Sequence, residues 1–393
     1  MQQKAGAVVI GGGVIGTSIA LRLARKGVDD VFLLEASKVG SGDSSKSGAI
    51  VRQHYFHPVL LRWAHRALQA FHRFEEIYGI DCGFVSAPYL MVCGPEDLTS
   101  LKNNVALGRE TGVNTRVVSA EEIEDLVPGI NAEDLAAGAY EADAGYANGT
   151  QTAEAFAEAA RREGVNVVEN CRVLRLNIKA GRITGVAADL GDISTDTVIL
   201  ASGLGALDLA AKVGVRLPIR AMKHEIVIFR RPEELAPQRP IVSDRVTGLV
   251  YRPDGSDGTR VGATDVNEGT WDVPPDDYED AATPERVASY AERLTHRFPR
   301  FKNPRAVKTY AGLYHMTPDQ QPILGSLGGI EGLYSATGFS HGFKLSPVVG
   351  DLMARCIVDG VEAAPELRLF SFERFQKEEL IQPRFTYAKG YAG

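Results

Sequence analysis

Cysteine is scarce in this 393-residue chain: Cys82, Cys93, Cys171 and Cys356 are scattered, with no Cys-x-x-Cys pair and no Cys/His spacing that suits a metal. This excludes a cysteine-built metal centre or redox pair, and all four are expected to be small buried hydrophobes. No apolar run approaches the roughly 20 residues that cross a bilayer, so no membrane span is expected. The N-terminal residues lack the basic, apolar and cleavage regions of a signal peptide, and the expected location is the cytoplasm. Positive charge is not in excess either. The formal net charge is -7 and the Lys and Arg residues are dispersed, which excludes nucleic acid as a partner.

What is there is ordinary globular composition, 44% hydrophobic and 24% charged, which predicts a chain folded throughout. Its length exceeds what one hydrophobic core fills, so two interleaved domains are expected.

An apolar β-branched run at 7–10 leads into Gly-Gly-Gly-Val-Ile-Gly at 11–16, then Ile19, Ala20, Leu23 and Ala24 at helical spacing. Gly27 closes that helix, and Val-Phe-Leu-Leu-Glu at 31–35 reads as a second strand ending on an acid. This is a βαβ dinucleotide unit. Gly11 serves the tight turn, Gly13 lets the backbone approach a pyrophosphate, and Gly16 lets helix and strand pack closely. Val14 and Ile15 open the helix, whose amides and dipole favour the diphosphate. Glu35, followed by Ala36, is placed to accept from ribose hydroxyls. The fingerprint serves FAD and NAD alike. The run Gly-Ser-Gly-Asp-Ser-Ser-Lys-Ser-Gly-Ala at 40–49 favours FAD, because small residues let a large planar ring and its phosphates lie against the backbone.

Further along, 58–79 reads as helix, 80–140 as an inserted stretch of short strands and acidic helices, and 152–201 as α/β again. From Pro218 to about Tyr310 long antiparallel strands are expected, with 249–252 paired to 260–262 across the turn at 253–258. Thr283-Pro284 reads as an N-cap and N1 proline. Gly-rich, cofactor-like sequence returns from about 311.

Five segments carry a family resemblance: Val-Val-Ile-Gly-Gly-Gly at 8–13, Ser-Gly-Ala-Ile-Val-Arg at 47–52, Met-Lys-His-Glu at 222–225, Tyr-His-Met-Thr-Pro-Asp-Gln-Gln-Pro-Ile-Leu-Gly at 314–325, and Gly-Phe-Ser-His-Gly-Phe-Lys at 338–344. With these the chain resembles the D-amino-acid oxidase superfamily of FAD enzymes, and within it the sarcosine oxidase group. Its pattern looks most like the β subunits of heteromeric sarcosine oxidases and dye-linked proline dehydrogenases. The resemblance implies an α/β, Rossmann-like, three-layer FAD-binding domain from 1–80, 141–217 and 311–393. An α+β substrate-binding domain with an antiparallel sheet would come from 81–140 and 218–310.

The implied cofactor is noncovalent FAD, contacted by the fingerprint residues, by Ser44, Ser45, Ser47, Gly48 and Ala49, by Val173 and Gly203, and by Gly338, Phe339, His341, Gly342, Phe343 and Lys344. The implied substrate is a secondary or N-substituted amino acid. Arg52 and Lys344 would grip its carboxylate, a pairing that makes physical sense because a carboxylate buried over a flavin must be matched by cations. Tyr314 and Tyr251 would orient it, and hydride would pass from the carbon next to nitrogen to flavin N5, giving an imine that hydrolyses. His54, His57, His224, His315 and His341 carry no assignment as a base.

Three departures from the family pattern matter. Gly312 stands where monomeric sarcosine oxidases carry the cysteine that tethers flavin. Arg260 stands at the lysine that promotes reaction with oxygen, and arginine cannot shed a proton, which leaves room for a dehydrogenase. The segment 339–343 is one residue shorter than the common form. Rival expectations are oxidation of a 2-hydroxy acid or polyol phosphate on the same scaffold, or a flavin-carrying subunit active only in a complex. Expected assemblies are a hetero-oligomer with other oxidoreductase subunits or a homo-oligomer.

Overall fold

The fingerprint folds as the strand Ala7–Ile10, the helix Val14–Arg25 and the strand Val31–Leu34 of a computed structural model that describes residues 3–235, 240–275 and 277–388. Both strands are continuous apolar runs because both faces of their sheet are covered. Ala7, Val9, Val31 and Leu33 point to one core, Val8, Ile10, Phe32 and Leu34 to another. The sheet has six strands: 166–168, 31–34, 7–10, 198–200 and 333–337 are parallel, and Ile323–Ser326 closes one edge antiparallel. On one side the helix Val14–Arg25 lies between Gly149–Arg162 and Ser346–Asp359. Close approach there needs Gly350, where a Cβ would meet Ser18 Oγ at 2.1 Å. On the other side a four-stranded sheet packs through Val173, Leu176, Ile183 and Val186. These are the three layers of the α/β domain expected from the sequence.

The second sheet has nine strands, with 306–316 paired antiparallel along the length of Arg220–Arg230. Every pairing in it is antiparallel except Ile241–Asp244 with Tyr89–Cys93. Residue 311 therefore sits in mid-strand, and the chain leaves this sheet only after Met316. The helix Pro284–Arg297, capped by Thr283 as its sequence implies, covers one face through Tyr290 and Leu294. Its last residue, Arg297, is fully buried and held by Asp244 at 2.6 Å and Asp134 at 2.7 Å. The opposite face is packed by the helix Leu98–Glu110 over Tyr89–Cys93 and Ala137–Glu141, and elsewhere it lines a cavity. Among the described residues no helix is long and apolar enough to cross a membrane.

Candidate active site

A cavity of about 880 Å³ runs from the carboxyl ends of the parallel strands to that face of the nine-stranded sheet. That places it at the upper end of the range for ligand pockets, about 300–1,000 Å³. One end is lined by Glu35, Val173 and Leu174, the middle by Gly11, Gly13, Val14, Ile15 and Ser44, and the far end by Arg52, Phe343 and Lys344. Gly11 has φ +110, and a Cβ there would strike Ala201 O at 2.5 Å. Glu35 accepts from the Gly12 amide at 2.7 Å and from the Ser37 amide at 2.8 Å, so its carboxylate is fixed at the cavity wall. Ser44 Oγ accepts from the Val14 amide at 3.1 Å and pins the small-residue run onto the helix start.

At the far end Arg52 and Lys344 are each only 4% exposed. Arg52 follows the short strand Ile50–Val51, and Lys344 lies in the 3-10 turn Phe343–Leu345. Both cations meet on one ring: Arg52 Cζ is 5.0 Å and Lys344 Nζ 5.2 Å from the Tyr55 centroid, with Lys344 Nζ 3.2 Å from its hydroxyl. Burial first, then the charge of Arg52, holds the Lys344 ammonium well below its ordinary range. Burial pushes the Glu141 carboxyl up to about 7, although Arg52 and Lys344 pull it down. Its Oε2 accepts from the Gln53 amide at 2.8 Å, while Oε1 is buried without a hydrogen-bond partner.

Tyr314 sits between His224 and His341, with ring centroids 4.9 and 5.2 Å away, and all three line the cavity. Burial, then Lys344 and Arg52, keeps His341 well below its ordinary pKa, so its ring is neutral. His54 is likewise neutral, drawn down to about 3 by burial and then by Arg52 and Arg245, and bonds Tyr387 at 2.8 Å. His57 caps the helix Pro58–His72. His315 bonds Asp43 at 2.9 Å. Burial raises Asp43, but its bond to His315 and the histidine charge outweigh that and leave it lowered.

Of the other expected contacts, Ala36, Ser47, Gly48, Ala49, Gly203, Phe339, Gly342 and Arg260 all line the cavity. Four expected site residues do not. Tyr251 is a correction: it faces the helix side of the sheet, packs on Phe298 at 5.1 Å and bonds Thr247 at 3.0 Å, because alternation along Leu249–Asp254 sends Val250 and Arg252 to the cavity instead. Ser45 turns back to bond the carbonyls of Ser41 and Gly42. Gly338 serves its loop, with φ +73 and Thr317 Cγ2 at 2.8 Å from a Cβ built there. Gly16 acts through packing alone, since its Cβ would lie 2.0 Å from Gly11 O.

Sequence reasoning missed Glu141, Tyr55 and the Asp43–His315 pair, and named Arg252, with Arg260 and Lys223, only as a polar candidate for a second carboxylate that the sequence could not place. Asp43 was visible as the one acid in the small-residue run. Glu141 and Tyr55 gave no signal, because their importance comes from contacts made across the fold.

Residues 7–356 match the DAO family of FAD-dependent oxidoreductases. The chain belongs to that family. This flavoenzyme is 27% identical over 410 residues to human sarcosine dehydrogenase, mitochondrial, which it matches with 100% of its own length and 44% of the relative's. It is 28% identical over 370 residues to 4-methylaminobutanoate oxidase (formaldehyde-forming) of Paenarthrobacter nicotinovorans, covering 90% of this chain and 43% of that protein. The chain thus spans less than half the length of both relatives. The crystal structure of L-proline dehydrogenase from P. horikoshii superposes with a TM-score of 0.88 at 28% identity, over 97% of this chain and 100% of that one.

The residues fit FAD. The glycine cradle at Gly11 and Gly13 leaves the approach to the helix start free of side chains, and Glu35 stands at the ribose end. Gly312 lines the cavity without a side chain, and a Cβ there would meet Lys46 Cβ at 2.8 Å. No thiol is therefore offered at that position for a covalent tether.

Proposed function

We propose that this flavoenzyme oxidises the C–N bond of a secondary or N-substituted amino acid, giving an imine that hydrolyses, with FAD held noncovalently. The observation that carries the reading is the pair Arg52 and Lys344, buried on one tyrosine ring at the closed end of the cofactor cavity. Two buried basic side chains at one site suit an anion, and Arg supplies a two-pronged grip that Lys extends as a point charge. FAD, when bound, supplies the two-electron acceptor. The chain's own part is to hold the carboxylate, so that the carbon next to nitrogen is oriented, and to manage the amine proton. Arg52 and Lys344 together raise the cost of a further positive charge beside them, which favours the neutral form of the substrate amine.

The test is to add sarcosine, proline and longer N-alkyl amino acids to the yellow protein without oxygen, then admit air. Bleaching by these and not by 2-hydroxy acids is the expected result. A colourless protein, or bleaching by hydroxy acids alone, overturns the reading. The rate of recolouring separates oxygen from another acceptor, which Arg260 in place of a lysine makes the matter to measure.

Glu141 gives the site a pH dependence of definite sign. A carboxylate bound beside Arg52 and Lys344 repels ionised Glu141, so binding favours its protonated form, and affinity falls as pH rises through about 7. Propionate, which has no amine and does not titrate in this range, is expected to bind up to about tenfold more weakly per pH unit above that point. Titrating the flavin spectrum with propionate from pH 6 to 9 checks this, and Glu141→Gln should flatten the curve.

A further inference from the structure

The same cavity holds a second positive pole. Arg252 and Arg260 face each other as register partners on the antiparallel strands Leu249–Asp254 and Gly258–Ala263, and both line the cavity. Like charges directly opposite on a sheet are destabilising. Among the described residues Asp254 is the carboxylate that partly offsets them, 2.8 Å from Arg260 Nη2 and 3.6 Å from Arg252 Nη2. The remaining bonds are to carbonyls: Arg252 Nη1 donates to Pro253 O at 2.9 Å and Arg260 Nη1 to Ser47 O at 3.1 Å. The Nε of each is buried without a hydrogen-bond partner. Arg252 is 5% exposed and lies 4.3 Å over the Tyr146 ring. Burial first, then the charge of Arg260, draws it down to about 10.

This pole lines the same cavity as the first and is linked to it through the sheet. Tyr146, under Arg252, is the cross-strand partner of Ile50, and Ile50 is two positions before Arg52. A molecule whose carboxylate rests on Arg52 and Lys344 thus lies in the cavity that Arg252 and Arg260 also line, where a second anionic group would meet them.

Resting on the amino-acid reading above, we propose that the substrate carries a second carboxylate, bound by Arg252 with Arg260 beside it, so that the enzyme prefers N-substituted amino acids that are dicarboxylic. The distal group has two sources, the amino-acid side chain, as in N-methylglutamate, or the nitrogen substituent, as in N-carboxymethylglycine. Arg252 acts here as a specificity determinant.

The experiment compares holoenzyme kcat/KM for sarcosine, N-methylglutamate and N-carboxymethylglycine by anaerobic flavin bleaching, and measures binding of each by calorimetry. One of the two dicarboxylates is expected to exceed sarcosine by about 10- to 100-fold, the worth of a buried charged hydrogen bond. Which one does so identifies the source. In Arg252→Met, similar in length and apolar, that preference is expected to collapse through KM. If sarcosine bleaches the flavin and neither dicarboxylate binds better, the second-carboxylate inference fails while the amino-acid reading stands. Should none of the three bleach it, both fail. Weakened FAD retention in Arg252→Met, with an unchanged preference ratio once FAD is supplied in excess, would assign the pole to the cofactor and also overturn the inference.

Discussion

Replacing Arg52 with methionine is expected to lower kcat/KM for the preferred amino acid by about 100- to 1,000-fold while FAD stays bound, because truncating one partner of a buried charged contact costs about 2–5 kcal/mol. The side chain is buried beside Tyr55 and Tyr89, and methionine fills most of its volume without its charge. Two neighbours respond. Lys344 loses the cation that helps depress it and relaxes upward, whereas Glu141 loses a cation that lowered it and rises further. The site then has one point charge for the carboxylate, and Arg52→Lys should recover only part of the loss because lysine cannot bind in two prongs. Steady-state kinetics beside the visible spectrum checks this. A variant that keeps its flavin and the parent's kcat/KM removes Arg52 from the site.

Gly16→Ala is expected to give a protein that holds no FAD and is destabilised by about 3 kcal/mol or more. Alanine is the better helix former by about 1 kcal/mol, so propensity alone predicts a gain. Geometry decides otherwise, since the new Cβ would lie 2.0 Å from Gly11 O, a backbone atom that moves only if helix and strand part. Parting them disturbs the turn that receives the diphosphate. Flavin content after purification and a thermal melt report both effects, and retention of FAD with an unshifted melt would contradict the packing role.

The α/β half was legible because its signals are local. Gly11, Gly13, Gly16 and Glu35 lie within one βαβ unit, and the apolar runs at 7–10 and 31–34 announce a sheet covered on both faces. The antiparallel half was legible as strands but not as faces. Tyr251 and Arg252 are adjacent, and only the pairing of their strand with its neighbours settles which enters the cavity. Arg52 and Lys344 needed the family resemblance, because the apolar neighbours Ile50, Val51 and Phe343 point to burial but not to a shared site. Glu141 was hidden for a different reason: it ends a strand of the second sheet, and its buried carboxylate acts on Arg52 and Lys344 from distant parts of the chain.

The helix that begins the fingerprint rests on Ser346–Asp359, and the strand beside Val198–Leu200 is Leu333–Thr337, so the fingerprint is completed only by residues translated well after it. Phe343 and Lys344, which line the cavity, belong to the same later stretch. A nascent chain that stops at the strand Ala306–Met316 has its glycine turn but neither that packing helix nor this part of the cavity wall. Flavin loading thus has to follow synthesis of the segment 333–359, and a chain that lacks it has the glycine turn without a completed cavity.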